Sequence, residues 1–191
     1  MTESDGITRY KGSMDIPLSE EGMKQMKALS AFLSRHKPPD AIYSSPLSRA
    51  LSSADLIAQP YGLMPIVAPE FRELNFGSWE GMSFPEVKER YPAEFSAWAN
   101  NPMKQGPVNG ETIQGVRERS VNALKSVLDN HRNGTVAVVA HGAVNRIILC
   151  DTLGISLENI FRLEQDFGAL NIIEFHEKYP VVKLLNGVFL G

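Results

Sequence analysis

Cysteine is almost absent from this sequence: among 191 residues the only one is Cys150, inside the apolar stretch Ile147-Ile-Leu-Cys150. One thiol excludes a disulfide framework and a CxxC metal site within the chain, and it favours a buried structural cysteine over a nucleophile. No apolar run is long enough to span a bilayer, and the polar segment Met1-Thr-Glu-Ser-Asp-Gly6 lacks the hydrophobic region of a signal peptide. We therefore expect a cytoplasmic protein in a reducing compartment, with no membrane partner.

Strong charge of either sign is also missing. The formal net charge is −3 and no block of like charges stands out, so the composition gives no electrostatic support for a nucleic-acid partner. Neither a G-x-S-x-G nucleophile motif nor an H-E-x-x-H or acid-rich metal motif occurs. The sequence thus predicts no metal site, and these motifs do not reveal a nucleophile.

The sequence does contain alternating strand and helix patterns over residues 1–191, a length suited to a single domain. Short apolar or β-branched runs predict strands at 41–43, 64–67, 136–140, 170–175 and 181–185. Apolar residues at helical spacing predict helices over 19–37, 47–58, 112–131 and 142–153, with shorter pieces interrupted by prolines over 84–99. This alternation predicts an α/β fold with a parallel or mixed sheet covered on both faces.

Two predicted strands end at a polar residue and lead directly into a helix. Ser44-Ser-Pro46 follows the first strand, with Arg49 in the first turn of the next helix, and His141-Gly142 follows the strand 136–140. Helix N-termini at the carboxyl ends of parallel strands favour anions, so we expect a shared phosphate site. Taken singly, Arg49 could be a surface salt-bridge partner and His141 a satisfied strand-end histidine.

A third segment, Phe71 to Gly81, is rich in glycine and aromatic residues and carries Arg72, Glu73 and Glu80. A carboxylate in such a loop can have its pKa raised by desolvation, which suits a proton donor. The alternative is that these are solvated loop charges, and without other evidence that alternative is favoured.

Together these segments resemble those of the histidine phosphatase superfamily, also called phosphoglycerate mutase-like. The motifs are, in order, Arg9-Tyr-Lys-Gly12, Asp15-Ile-Pro-Leu-Ser19-Glu-Glu-Gly22, Ser44-Ser-Pro-Leu-Ser-Arg49-Ala50, Arg72-Glu73-Leu-Asn-Phe-Gly77-Ser-Trp-Glu-Gly81, Gly110-Glu-Thr112 and Val139-Ala-His141-Gly142. These ordered motifs extend over essentially the whole chain. The Trp79-Glu-Gly81 form and the segment from Phe161 to Asn171 are most similar to the phosphatase branch that includes the α-ribazole phosphatases.

The resemblance implies a three-layer α/β/α sandwich and a hydrolase of small phosphorylated metabolites that needs no metal or other cofactor. In this family a histidine takes the phosphoryl group, and water then hydrolyses the phosphohistidine. By resemblance, Glu73 protonates the leaving oxygen. Arg49 and His141 bind the phosphoryl oxygens and stabilise their charge, while Gly142 cradles the phosphate through its backbone. Lys11 and Gly12 border the substrate.

One family feature is missing from residues 1–191: the Arg-His-Gly motif that ends the first strand and carries the nucleophile. Counting back from Arg9, we expect it just before Met1, with about ten residues of strand and motif upstream. That strand is central in the family and neighbours the His141 strand, so its loss would expose two strand edges. Closure of the sheet, replacement by the N-terminal segment, or exchange between chains in a homodimer would resolve this.

The leading hypothesis is therefore a phosphatase whose residues 1–191 have little turnover of their own. The alternative from another class is a non-catalytic phosphoester-binding or interaction module that uses Arg49 and His141 as an anion pocket. An intact Glu73 counts modestly against that module, because pure binding needs no proton donor. A mutase ranks third, since it would need a retained bisphosphate primer. An Arg-His-Gly triplet upstream of Met1 favours the enzyme, and a stop codon there favours the module.

Overall fold

A computed structural model describes residues 8–189, in which six α-helices and five strands alternate along the chain. The helices are α1 (Glu20–Leu33), α2 (Ser48–Ala58), α3 (Phe84–Arg90), α4 (Pro92–Asn100), α5 (Ile113–Asn130) and α6 (Gly142–Leu153). The strands are β1 (Ala41–Ser44), β2 (Ile66–Val67), β3 (Val136–Val139), β4 (Leu170–Phe175) and β5 (Pro180–Gly187). Short 3₁₀ turns lie at Gln59–Tyr61, Pro69–Phe71, Gly77–Trp79 and Leu157–Arg162.

The helix starts follow the expected capping chemistry. The Ser19 side chain accepts a hydrogen bond from the Gly22 N–H at α1, and the Thr112 side chain accepts one from the Gly115 N–H at α5. Helix α1 ends at Leu33, several residues before the prolines that were expected to close it. The prolines of 84–99 do not interrupt helices but stand in the first turns of α3 and α4, where a missing N–H costs nothing.

The parallel sheet is the middle one of three layers, with helices on each side of it. Strand β1 lies between β2 and β3, and all three run parallel. Alternate β3 side chains divide between two cores: Val136 and Val138 pack with residues of α5 and α6, while Ala137 and Val139 pack with residues of α1 and α2. Helices therefore cover both faces of the sheet, which confirms the predicted α/β fold.

The sheet does not close across the gap left by the expected first strand. Within residues 8–189, β3 pairs only with β1, and β4 pairs with β5 in a separate antiparallel sheet. Closure of the sheet, one of the three expected solutions, is thus not seen in this part of the chain. Replacement by the N-terminal segment concerns residues 1–7, which lie outside the described residues.

Cys150 is fully buried in α6, as expected of a structural thiol, and its burial raises the pKa of the thiol. No helix between residues 8 and 189 combines the length and the hydrophobicity that crossing a bilayer requires.

Candidate active site

The two strand–helix junctions lie side by side because β1 and β3 are neighbouring parallel strands whose last residues, Ser44 and Val139, are in register. The next residue, Ser45, donates its N–H to the Val139 carbonyl at 3.0 Å. Its hydroxyl lies 2.7 Å from Nε2 of His141, and both side chains are buried. The structure thereby brings the arginine-bearing and histidine-bearing junctions together at the carboxyl edge of the sheet.

Arg49 stands in the first turn of α2 and faces the segment before α1. Instead of reaching a surface carboxylate, its Nη1 donates to the Met14 carbonyl and its Nη2 to the Gly12 carbonyl, both at 2.7 Å. Both acceptors are neutral carbonyls, and the nearby carboxylates of Glu73, Asp15 and Glu80 act on the guanidinium through their charge rather than through these hydrogen bonds, so Arg49 can still attract an anion. Gly12 must be a glycine here, because its φ is +46° and a Cβ would lie 2.3 Å from Oε1 of Glu80.

Glu73 lies beside the first turn of α6. Oε1 of Glu73 accepts a hydrogen bond from the N–H of Leu74, the next residue, at 2.8 Å, and Oε2 accepts one from the N–H of Ala143 at 3.4 Å. The residue keeps some exposed surface, but protein atoms surround its carboxyl densely, and this burial raises the pKa of Glu73. The two hydrogen bonds and the charges of Arg49 and Arg119 oppose the shift without cancelling it. A protonated carboxyl at this position suits a proton donor.

The segment that carries Glu73 is held by Arg119, from the middle of α5. All five N–H donors of Arg119 are used. Its Nε and Nη2 donate to the Glu111 carboxylate, both at 2.9 Å. Its Nη1 donates to the carbonyls of Glu70 and Arg72 at 2.5 and 2.8 Å, and its Nη2 also donates to the Glu73 carbonyl at 3.2 Å. Burial alone would raise the pKa of Glu111, but hydrogen bonds from Arg119 and Asn75 and the charges of Arg119 and Arg72 lower it overall. This ion pair fixes the backbone on both sides of the acid.

His141 occupies the N-cap position of α6, and Gly142 begins the helix. Burial, with a smaller contribution from the charges of Arg49 and Arg119, lowers the pKa of His141 to about 3. The imidazole is therefore neutral at physiological pH. The absence of a side chain at Gly142 lets Arg146 and Glu73 approach the backbone, since a Cβ there would lie 3.1 Å from Nη1 of Arg146 and 3.9 Å from Oε2 of Glu73.

The predicted site residues Gly12, Arg49, Glu73, His141 and Gly142 thus surround one region. Lys11 adjoins it through the turn in which its carbonyl accepts from the Met14 N–H at 2.9 Å. The interpretation of Glu73 and Glu80 as solvated loop charges is wrong, whereas the side chain of Arg72 is 41% exposed. Oε1 of Glu80 accepts from the backbone of Ser13 and Phe76, and Arg72 pairs with Glu111 at 2.9 Å.

Sequence reasoning missed three residues that build the site: Ser45, Glu111 and Arg119. Ser45 lies in the motif Ser44-Ser-Pro-Leu-Ser-Arg49-Ala50 and Glu111 in Gly110-Glu-Thr112, and their place in these motifs indicated that their side chains have partners. Arg119 had a weaker signal: it lies on α5 beside the buried Ser120 and Val121, where an unpaired charge would be costly.

The other three histidines lie away from this region. Nδ1 of His36 is 3.0 Å from the Phe32 carbonyl, Nε2 of His131 is 3.0 Å from the Tyr43 hydroxyl, and His176 lies near Glu174. Across the described part of the chain, no three His, Cys, Asp or Glu side chains come together as a metal site would require.

Comparison with known proteins agrees with this geometry. The sequence profile of the Histidine phosphatase superfamily (branch 1) matches residues 1–187. Phosphoserine phosphatase 1 of Hydrogenobacter thermophilus is 36% identical over 185 residues, covering 97% of this chain and 87% of that protein. The adenosylcobalamin/alpha-ribazole phosphatase of Escherichia coli is 26% identical over 187 residues, covering 98% and 91%. The crystal structure of the alpha-ribazole phosphatase from Shigella flexneri superposes with a TM-score of 0.85 at 25% identity, over 98% of this chain and 91% of that one. The chain belongs to the histidine phosphatase superfamily.

Proposed function

We propose that the protein is a cytoplasmic phosphomonoesterase that hydrolyses small phosphorylated metabolites through a phosphohistidine intermediate. The observation that carries this proposal is the convergence of an arginine whose hydrogen bonds go to neutral carbonyls, a buried acid of raised pKa and a buried histidine at one edge of the parallel sheet. Relatives named as phosphatases of phosphoserine and of α-ribazole support phosphate hydrolysis in general.

The roles divide by charge. Arg49 supplies the positive charge for the phosphoryl oxygens, and His141 and the N-terminus of α6 add hydrogen-bond donors. Lys11 and Gly12 border the substrate. Glu73, whose pKa is raised by burial, gives its proton to the leaving alcohol oxygen as the phosphorus–oxygen bond breaks. The resulting carboxylate can then take a proton from the attacking water.

The nucleophile in this proposal is a histidine on an Arg-His-Gly segment encoded before Met1. Its imidazole nitrogen attacks phosphorus, forms the phosphohistidine and expels the alcohol that Glu73 protonates; water then cleaves the phosphorus–nitrogen bond. The histidines at 36, 131 and 176 have partners elsewhere, and His141 already faces Ser45. A strand carrying the nucleophile would fit the edge of β3 that has no strand partner within residues 8–189.

The test compares residues 1–191 with the chain extended by its upstream codons. We expect hydrolysis of p-nitrophenyl phosphate from the extended chain, its loss when the added histidine is replaced by alanine, and little turnover from residues 1–191. Glu73→Gln in the extended chain should slow the release of alcohol most for substrates with a poor leaving group, because those need the proton. Robust turnover by residues 1–191 that disappears in His141→Ala would instead make His141 the nucleophile and overturn this assignment.

A non-catalytic phosphoester-binding module is the second candidate. The observation in its favour is that Arg49, His141 and the start of α6 lie close together within residues 8–189, so they could hold an anion without chemistry. The buried acid Glu73 counts modestly against it, because pure binding needs no proton donor. A stop codon directly before Met1, with phosphate binding but no turnover, would favour this candidate; mutase chemistry ranks below both.

A further inference from the structure

A cavity of about 710 Å³ reaches Tyr10, two residues before Gly12, and five of its eleven lining residues are aromatic. Five rings line it: Tyr10, Phe84, Phe95, Trp98 and Phe161. Phe84 and Phe161 are 52% and 66% exposed, so their faces are available to a ligand. Large exposed aromatic side chains lining one concave surface are a common feature of small-molecule sites.

The rings are held in place by the fully buried Trp79, which lies behind the cavity wall. Its ring centroid is 5.6 Å from that of Trp98, 6.0 Å from that of Phe95 and 5.8 Å from that of Tyr10. Phe161 extends the set through an edge contact with Trp98 at 6.3 Å. A ligand ring would therefore meet side chains that are already ordered, which lowers the entropy cost of binding.

The cavity adjoins the phosphate-binding region through Tyr10. Tyr10 is two residues from Gly12, whose carbonyl accepts from Arg49, so the Cα atoms of Tyr10 and Gly12 are at most about 7 Å apart. The Tyr10 ring also packs on Phe76 at 4.8 Å, three residues from Glu73. A phosphoester bound by Arg49 could thus extend its organic group toward the aromatic wall.

Size and charge decide which organic group fits. Among residues 8–189, Glu158 is the only charged residue that lines the cavity, and its carboxylate would repel an acidic group on the ligand. A group as small as serine would leave most of the 710 Å³ unfilled, and its carboxylate would meet no cation in the lining. An extended aromatic group gains from both the volume and the rings.

From this, and resting on the phosphatase function proposed above, we propose that the aromatic cavity binds the leaving group of the substrate, and that this group is an aromatic ring system without a carboxylate. Discrimination against carboxylate-bearing esters such as phosphoserine follows, although a phosphoserine phosphatase is among the relatives.

The test is the binding of three probes to residues 1–191 by isothermal titration calorimetry: 1-naphthyl phosphate, O-phospho-L-serine and inorganic phosphate. We expect 1-naphthyl phosphate to bind at least about tenfold tighter than either of the others, a difference of ~1.4 kcal/mol. Phe161→Ala should remove most of that difference and leave inorganic phosphate unaffected, because Phe161 lies on an exposed 3₁₀ turn away from Arg49. Phe167→Ala is the matched control: Phe167 is 64% exposed, does not line the cavity, and should change nothing.

The outcomes separate this proposal from the one on which it rests. If inorganic phosphate binds and 1-naphthyl phosphate binds no tighter, or if phosphoserine is preferred, the aromatic cavity proposal is wrong and the phosphate site stands. If none of the three phosphates binds, the proposed function fails, and 1-naphthol then tests the cavity alone: binding that Phe161→Ala abolishes supports an aromatic site, and no binding overturns it.

Discussion

The acid side and the histidine side of the candidate active site are held in different ways. On the acid side, the backbone around Glu73 is fixed by Arg119, whose side chain is 13% exposed and uses every donor it has. On the histidine side, His141 has one side-chain partner, Ser45, and ends a strand with no neighbour on its other edge within residues 8–189.

This difference indicates that the backbone around Glu73 is held more rigidly than the side chain of His141. A proton donor must stay buried and oriented to keep its raised pKa, so a dense ion-pair network around it has a chemical purpose. A phosphate binder is completed by the ligand, and a neutral imidazole beside Arg49 can gain a proton when the anion arrives. Loss of the Arg119 network on the acid side should therefore reduce stability, whereas changes on the histidine side should alter the response to pH and to phosphate.

The largest effect is expected from Arg119→Met. It removes all five hydrogen bonds and leaves Glu111, 19% exposed, without its main partner, so the free energy of unfolding should fall by about 3 kcal/mol. Urea denaturation at pH 7 measures this. Arg132→Met, which breaks an ion pair with Asp129 between side chains 80% and 72% exposed, is the matched control and should cost less than about 0.5 kcal/mol. Equal losses in the two variants would show that the acid side is not specially held.

His141→Gln should make the protein less sensitive to acid. The pKa of His141 is lowered to about 3, from an ordinary value of 6.5, by burial and by the charges of Arg49 and Arg119. Between these values the unfolded chain binds the proton and the folded chain does not, so stability falls as pH falls from 6.5 toward 3. At pH 5 the loss from this residue amounts to about 2 kcal/mol. Urea titrations of both proteins at pH 7 and pH 5 should show a smaller loss in the variant; parallel losses would mean that His141 titrates normally.

Arg49→Lys tests whether the phosphate side depends on the shape of the guanidinium. Lysine keeps the charge, but one ammonium cannot reproduce the two directed bonds to Met14 and Gly12 and still face an anion. Inorganic phosphate should bind about tenfold more weakly, measured by calorimetry. Arg35→Lys, at an exposed position beyond α1, is the control and should leave binding unchanged. Unchanged affinity in Arg49→Lys would indicate that only charge matters there.

Much of this arrangement could be predicted because it depends on short stretches of neighbouring residues. Ser19 and Thr112 indicate the starts of two helices, and the unalternating apolar run 136–140 indicates a buried parallel strand. The two strand–helix junctions predict that Arg49 and His141 lie in one site. Arg119 could not be predicted in the same way: it contacts backbone carbonyls 46 to 49 residues away, and carbonyls carry no side-chain signature. The aromatic cavity likewise joins residues from four separated segments, so only the tertiary fold reveals it.

Glu73→Gln should give the smallest change in stability, and its sign is the informative part. Burial raises the pKa of Glu73, so the folded state favours the protonated carboxyl, and stability is full at acidic pH and lost as pH rises through the raised value. Glutamine has nearly the same shape without the charge, so the variant should match the wild type at acidic pH and be the more stable of the two at pH 8. Glu80→Gln is the contrast: a single oxygen of Glu80 accepts the N–H groups of Ser13 at 2.7 Å and Phe76 at 3.1 Å, whereas Glu73 accepts from its own neighbour Leu74 and, at 3.4 Å, from Ala143, so the loss of the Glu80 carboxylate should destabilise. An acid that weakens the fold at neutral pH is retained for chemistry; if Glu73→Gln were instead destabilising at pH 8, Glu73 would be a structural carboxylate like Glu80, and the proton-donor role would be lost.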